Sequence, residues 1–349
     1  MNLVHKTLIP CNELLFCTIR QIVSSDIVEA ILIYRHRVEL TTLKYVTTLQ
    51  KVAILVPQSI PVEVSLIWGA VVDQYFYSIT ENLDFIISDF NSFPHFHQIF
   101  ITKLENIPLT FETKAISHNL KYICIAGSED EVIIVDIQNH IEPFFQVLQL
   151  DVNEIISIIP APKNNSFAIL VSLQESKMIY FLNSETKEIY DKVKVDPPSF
   201  KLIYSLSSDK HQIFCVQKRK IVGISTQMTF TTKHDILLAS NVVGNNISMI
   251  LNDENNTFLV YSLASRQENF YEEGAEFTKM FTLPNSLLIC YSEGNYIILH
   301  IPSVTKTKNT KRLFSDLQSI EVLQYKNTQV KSLAFIDNSL NALSEFGLT

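Results

Sequence analysis

Apolar residues in this chain fall in short runs separated by polar turns. The stretch Tyr122–Ile137, YICIAGSEDEVIIVDI, is the clearest instance. Tyr122–Ile125 form one run and Val132–Val135 with Ile137 the next, around Gly127, Ser128, Glu129, Asp130 and Glu131. β-Branched and aromatic runs of this length, bounded by Gly and acidic turn residues, predict a β-hairpin. The apolar positions are consecutive, not alternating, so both faces of each strand are expected to be covered. A buried helix is the competing reading, and short β-branched runs disfavour it.

The hairpin recurs six times more. Its copies are Ala30–Leu40 (turn Arg35–Arg37), Tyr75–Phe90 (Glu81–Asp84), Phe167–Leu182 (Gln174–Lys177), Ile213–Ile224 (Lys218–Lys220), Ile247–Leu263 (Asn252–Asn256) and Leu287–Ile301 (Ser292–Asn295). The second strands begin near Arg37, Asp84, Glu131, Lys177, Lys220, Thr257 and Tyr296, at spacings of 47, 47, 46, 43, 37 and 39 residues. A strand-only repeat of roughly 40–50 residues is the period of a propeller blade, with this hairpin as its middle pair. Strand candidates also precede the hairpins (Pro61–Trp68, Phe111–Ser117, Ile155–Ile159, Phe200–Leu206, Phe277–Leu283) and follow them (Lys51–Val56, Gln98–Leu104, Phe145–Leu150, Ile189–Val195).

The pattern therefore predicts an all-β fold, a seven-bladed β-propeller of four-stranded blades over residues 1–303. A pair of β-sandwiches and a mixed domain with helices are the alternatives, and neither explains the even spacing. Closure into a ring removes exposed sheet edges. The seventh blade lacks an outer strand of its own, and Leu3–Ile9 is the segment expected to supply it. From Ser303 the chain turns polar and basic (SVTKTKNTKR). Residues 304–349 are read as a basic linker and tail, either packed on the ring or opening a truncated second propeller, with strand-like patterns at Leu317–Leu323, Val330–Ile336 and Leu340–Phe346.

Composition changes this picture little. At 349 residues and 47% apolar the chain can bury a large core. Its net charge of −8 does not favour wrapping a nucleic acid backbone. Seven glycines are too few for the turns, so Asn, Asp and Ser must carry many of them. The five cysteines, Cys11, Cys17, Cys124, Cys215 and Cys290, form no C-x-x-C, and three lie in apolar runs, which fits a reducing compartment. The opening residues lack the apolar core of a signal peptide, because Asn12 and Glu13 interrupt it. No apolar run is long enough for a membrane-spanning helix.

Catalytic motifs are missing. The sequence has no G-x-G-x-x-G, no G-K-[ST], no H-E-x-x-H and no G-x-S-x-G. His95 and His97 form the one close histidine pair, in FPHFHQ, and aromatic packing is the expected role ahead of metal binding. The reading is of a non-enzymatic chain without cofactor, metal or small-molecule substrate. Two basic groups are the candidate contacts for a partner or a nucleic acid. One is the tip Lys218, Arg219 and Lys220. The other is Lys306, Lys308, Lys311 and Arg312 in the linker. A solvated turn and a soluble linker are the plainer readings of both.

The N-terminal segment LVHKTLIPCNELLFCTIRQIVSSDIVEAILIYRHRVELTTL resembles the opening of the large triple-propeller scaffold family. That family includes the third subunit of splicing factor 3b, the damaged-DNA-binding protein and the large subunit of the cleavage and polyadenylation specificity factor. Thr7, Leu8, Ile27, Val28, Val38, Glu39 and Leu40 match its opening pattern. KYICIAGSEDEVIIVDI resembles a later hairpin of the same first propeller at Ala126 and Val132–Ile134, although Gly127 is shifted and the family's Asp and Arg are missing. LPNSLLICYSEGNYIILHI resembles its last-blade hairpin, and VKSLAFIDNSLNALSEF the entry to the next propeller, with Leu333, Asp337 and Leu340. The resemblance implies a protein–protein scaffold in a nuclear complex, most like the splicing factor subunit in pre-mRNA splicing. Its partners would be protein subunits, with any RNA or DNA contact indirect and no membrane. An adaptor of a cullin-type ubiquitin ligase or DNA-repair complex, or a subunit of the mRNA 3′-end machinery, is the alternative within the family. A propeller hydrolase or lectin is the alternative outside it. Family members continue through two more propellers and a helical domain, so a sequence ending at Thr349 matches a fragment or a reduced homologue.

Overall fold

The structure is a computed structural model. It describes residues 9–10, 14–24, 27–46, 51–54, 58–91, 93, 95–104, 116–127, 130–161, 165–205, 212–226, 228–243, 245–272, 276–283, 286–291 and 295–300, and in the tail 312–313, 321–322, 330–336, 339–344 and 347–348. Among these residues every regular element is a strand.

Consecutive strands build consecutive antiparallel sheets. The first sheet holds Leu14–Ser24, Ile27–Tyr34, Arg37–Val46 and Lys51–Ile54, with Gln58–Pro61 also paired to the third of these. The second holds Leu66–Val72, Tyr75–Thr80, Asp84–Asp89 and His97–Lys103; the third Ile116–His118, Tyr122–Ala126, Glu131–Asp136 and Phe144–Gln149. The fourth holds Glu154–Pro160, Ser166–Ser172, Lys177–Asn183 and Ile189–Val195; the fifth Lys201–Ser205, Gln212–Val216, Lys220–Gly223 and Thr229–Thr231. The sixth holds Asp235–Ala239, Asn246–Asn252, Phe258–Ser262 and Glu268–Glu272; the seventh Phe277–Leu283, Ser286–Tyr291 and Asn295–His300. In every sheet the middle pair is the hairpin expected from the sequence.

Continuous apolar runs become strands buried on both faces. Ile123, Ile125, Ile133 and Val135 point into a cluster with Trp68, Tyr77, Phe85 and Ile87 of the second sheet. The alternate residues Tyr122, Cys124, Val132 and Ile134 point into a cluster with Ile155, Phe167, Ile169 and Val171 of the fourth. Each of these fully buried side chains contributes roughly 1.5–3 kcal/mol of transfer free energy. Similar apolar layers join the first sheet to the second, the fourth to the fifth, the fifth to the sixth and the sixth to the seventh.

Polar links tie the first strands of the fourth, fifth and seventh sheets to one another and to the first strand of the sixth and the residues just past it. Leu202 N donates to Ser157 Oγ at 3.3 Å, Tyr204 N to Asn241 Oδ1 at 3.2 Å, and Asn241 N to Thr282 Oγ1 at 3.1 Å. Lys201 Nζ reaches the Ala239 carbonyl at 2.8 Å. From the seventh sheet, Lys279 Nζ reaches the Leu14 carbonyl of the first at 2.8 Å, where strands Phe277–Leu283 and Leu14–Ser24 lie side by side.

Three strands from elsewhere extend the sheets. Ile9–Pro10 pairs antiparallel with the outer strand of the seventh sheet, Ile9 opposite Tyr296 and Pro10 opposite Asn295. An edge position suits Pro10, which has no N–H to donate. The strand expected at Leu3–Ile9 is thus present at its last residue, and Leu3–Leu8 lie outside the described residues. In the tail, Arg312–Leu313 pairs in parallel with the outer strand of the sixth sheet, and Glu321–Val322 with the outer strand of the first. Val330–Ile336, Ser339–Ser344 and Gly347–Leu348 form a separate three-stranded sheet.

One strand is displaced from its expected place. Pro61 ends a strand of the first sheet, and the second sheet begins at Leu66, so Pro61–Trp68 is not one strand. The turns carry positive φ on non-glycine residues, as the scarcity of glycine requires. Asp73, Asn165 and Asn245 occupy the turn between first and second strands in their sheets, at φ of 55°, 61° and 66°.

Candidate functional site

The tip Lys218–Lys220 joins the middle strands of the fifth sheet, and all three residues are exposed. Its backbone is fastened to the approach to the sixth sheet: Thr232 N donates to Arg219 O at 2.9 Å and Ile236 N to Lys218 O at 2.7 Å. The same fastening holds the first sheet to the second, where Val62 N donates to His36 O and Leu66 N to Arg35 O, each at 2.8 Å. Both tips are basic in sequence, Arg35-His36-Arg37 and Lys218-Arg219-Lys220.

Carboxylates meet the cations at both tips. Asp235, at the start of the sixth sheet, receives Arg219 Nε on Oδ1 at 2.6 Å and Lys218 Nζ on Oδ2 at 3.1 Å. Hydrogen bonds from Arg219, then Lys218, hold its carboxyl below the usual carboxylate range. In the first sheet Arg37 Nε donates to Glu39 Oε1 at 2.8 Å, and its guanidinium lies 3.7 Å from the centre of the Tyr34 ring. Two of the three cations of the fifth-sheet tip are therefore already paired. Such exposed pairs are weak and screened by solvent, and a phosphate competing for the tip must displace Asp235. The tip's chemistry is first that of a clasp between sheets.

Lys306, Lys308 and Lys311 lie outside the described residues. Arg312 is placed by its backbone opposite Tyr271, on the outer edge of the sixth sheet. The sixth sheet thus meets both basic groups, one at the start of its first strand and one at its outer edge. The sequence reading missed the recurrence of the basic tip at Arg35–Arg37; a comparison of turn residues between repeats would have found it.

Other titratable groups sit in the interior. Burial pushes the Cys17 thiol up to about 12 and the Cys215 thiol to about 11. Thiols so poised are protonated at neutral pH and are poor nucleophiles. His118 is held neutral by burial, its ring edge-on to Trp68 with centroids 6.2 Å apart. His140 packs over Tyr75 with ring centroids 3.8 Å apart, and its Nδ1 meets the Tyr77 hydroxyl at 2.5 Å. Among the described residues no three His, Cys, Asp or Glu side chains gather as a metal site, and no helix is long and apolar enough to cross a membrane.

No protein-family model matches the chain, and no curated protein matches it.

Proposed function

We propose that the seven sheets are the blades of one closed β-propeller over residues 1–303, and that the chain is a non-enzymatic scaffold for protein–protein docking in a nuclear pre-mRNA splicing complex. One observation carries the fold reading: hydrogen bonds link the starts of the fourth, fifth, sixth and seventh sheets in chain order, and Lys279 of the seventh returns to Leu14 of the first at 2.8 Å. The antiparallel pairing of Ile9–Pro10 with the seventh sheet supports the same closure. A ring of this size offers two loop-lined faces and a rim, enough for the roughly 1,200–2,000 Å² that a stable interface buries. The splicing assignment rests on the sequence resemblance to the triple-propeller family alone. The mechanism is geometric, with rigid blades holding partners in fixed relative positions.

The test is affinity purification of the tagged full chain from nuclear extract, read by mass spectrometry. Enrichment of splicing factor 3b subunits is the expected result. Enrichment of cullin or of cleavage and polyadenylation subunits would move the chain to another complex of that family. Recovery of neither set would overturn the scaffold assignment.

A further inference from the structure

The rim of the third sheet differs from every other outer edge. Among the described residues no strand pairs with the outer edge of the second, third, fourth or fifth sheet. Proteins protect such edges with charge, shortness or cover. The fourth sheet's outer strand carries Asp191, Lys192 and Lys194, the second's carries His97 and Lys103, and the fifth's is three residues long. The third sheet's outer strand, FFQVLQ, has six residues and no charge. Its Phe144 and Val147 are 63% and 54% exposed, and Ile141 beside it is 76% exposed.

This edge is also rigidly displayed. Phe145 turns inward, edge-on to Phe85 with centroids 5.4 Å apart. The loop leading into the strand is anchored by His140 between Tyr75 and Tyr77, and Pro143 is buried. An edge already ordered loses little entropy when a strand joins it.

The chain shows what joins such edges, and its charge shows what kind. Two outer edges, those of the sixth and first sheets, already take an added strand in parallel. Between Tyr122 and Pro162 there are seven carboxylates and neither Lys nor Arg, against −8 for the whole chain. Glu142 and Asp151 bracket the outer strand, and Asp136 and Glu131 lie opposite its two ends. The nearby Lys121 lies 4.0 Å from Glu185 of the fourth sheet.

We propose that the Phe144–Gln149 edge takes an extended, alternately apolar and basic peptide segment of a partner as a fifth strand of the third sheet. Backbone hydrogen bonds hold the segment, its apolar side chains lie on one face beside Val147, and its cations lie on the other, which Phe144 shares with Asp136. The proposal rests on the scaffold reading, but it needs only the third sheet and its neighbours. A failed purification leaves this edge intact, and a failed peptide experiment leaves the rest of the scaffold intact.

The probe is a fluorescein-labelled nine-residue peptide of alternating valine and lysine, titrated against the full chain. Saturable binding is expected, weakening about tenfold or more between roughly 50 and 500 mM salt as charge is screened. The double variant Phe144→Lys/Val147→Lys, altered only at exposed positions, should lose binding about tenfold while keeping its melting temperature. Hydrogen exchange on the unaltered chain supplies a second readout: the peptide should slow exchange at alternate amides within 145–149 and not at the other rim strands. The idea fails if the valine–lysine peptide does not saturate, or if a version with central prolines or with glutamate for lysine binds equally well. It also fails if protection falls elsewhere, or if 145–149 become protected with rising protein concentration alone, which would make the occupant a second copy of the chain.

Discussion

Lys201 shows how one side chain serves as both link and liability. It sits on the first strand of the fifth sheet and donates to the Ala239 carbonyl of the sixth. Burial pulls its ammonium from the ordinary 10.5 down to about 8. A folded-state value below the unfolded one means that the unfolded chain holds the extra proton between about pH 8 and 10.5. Stability therefore climbs with pH across that window. The cost of the charged form is fully present below it, on the order of 3 kcal/mol. Replacing the ammonium removes the penalty together with one hydrogen bond worth roughly 1–3 kcal/mol. Lys201→Met should accordingly change stability little at pH 7, and should flatten the rise between pH 8 and 10. Urea unfolding of both proteins at three pH values checks this, and parallel pH curves would refute it.

At the scale of the strand, tight contact between sheets depends on Gly69. It lies on the first strand of the second sheet, and a Cβ there would come within 3.0 Å of Phe76 Cε2 and 3.1 Å of Ile33 Cδ1. Phe76 and Ile33 belong to the apolar layer between the first and second sheets. Gly69→Val should destabilise by about 1–3 kcal/mol, as overpacking of a filled core does. Phe76→Leu in the same chain should recover part of the loss, because the two changes share one space. Strictly additive denaturation midpoints would count against that packing. The same strand marks what the sequence could and could not tell. Middle hairpins were legible because burial on both faces leaves an uninterrupted apolar run, as in Tyr122–Ala126. Leu66–Val72 was placed too early, at Pro61–Trp68, because Gly69 and Ala70 dilute its apolar run, and Pro61 ends a strand that joins the first sheet. Leu14–Ser24, broken by Arg20 and Gln21, and the three-residue Thr229–Thr231 carried too little pattern to be read. The basic tip at Lys218–Lys220 was visible as charge. Its partner Asp235 was not, because the pair spans two sheets and no periodicity within one sheet encodes it.

Over the described residues, the strands added from the two ends of the chain fall on consecutive sheets. Ile9–Pro10 extends the seventh sheet, and the tail extends the sixth and the first. The seventh and the first flank the point where the proposed ring must close, and the sixth adjoins the seventh. A propeller cut open between its last and first blades exposes two apolar sheet faces, so strands that bridge the cut stabilise more than their few hydrogen bonds suggest. Here the bridge is spread over three elements. The Lys279–Leu14 link lies among the first strands, Ile9–Pro10 pairs at the outer strand of the seventh sheet, and the tail strands bind the outer edges beyond. Deleting residues 1–10 should lower the melting temperature by about 5 °C or more, since each kcal/mol lost shifts a large domain by roughly 2–4 °C. It should also broaden the transition, because the seventh sheet then frays before the rest. Removing the tail from residue 304 should have a smaller effect alone and a more than additive one combined with the first deletion, as expected for two fasteners on one seam. Differential scanning calorimetry of the four proteins decides the matter. A melting curve unchanged by loss of residues 1–10 would mean that the N-terminal strand does not close the ring.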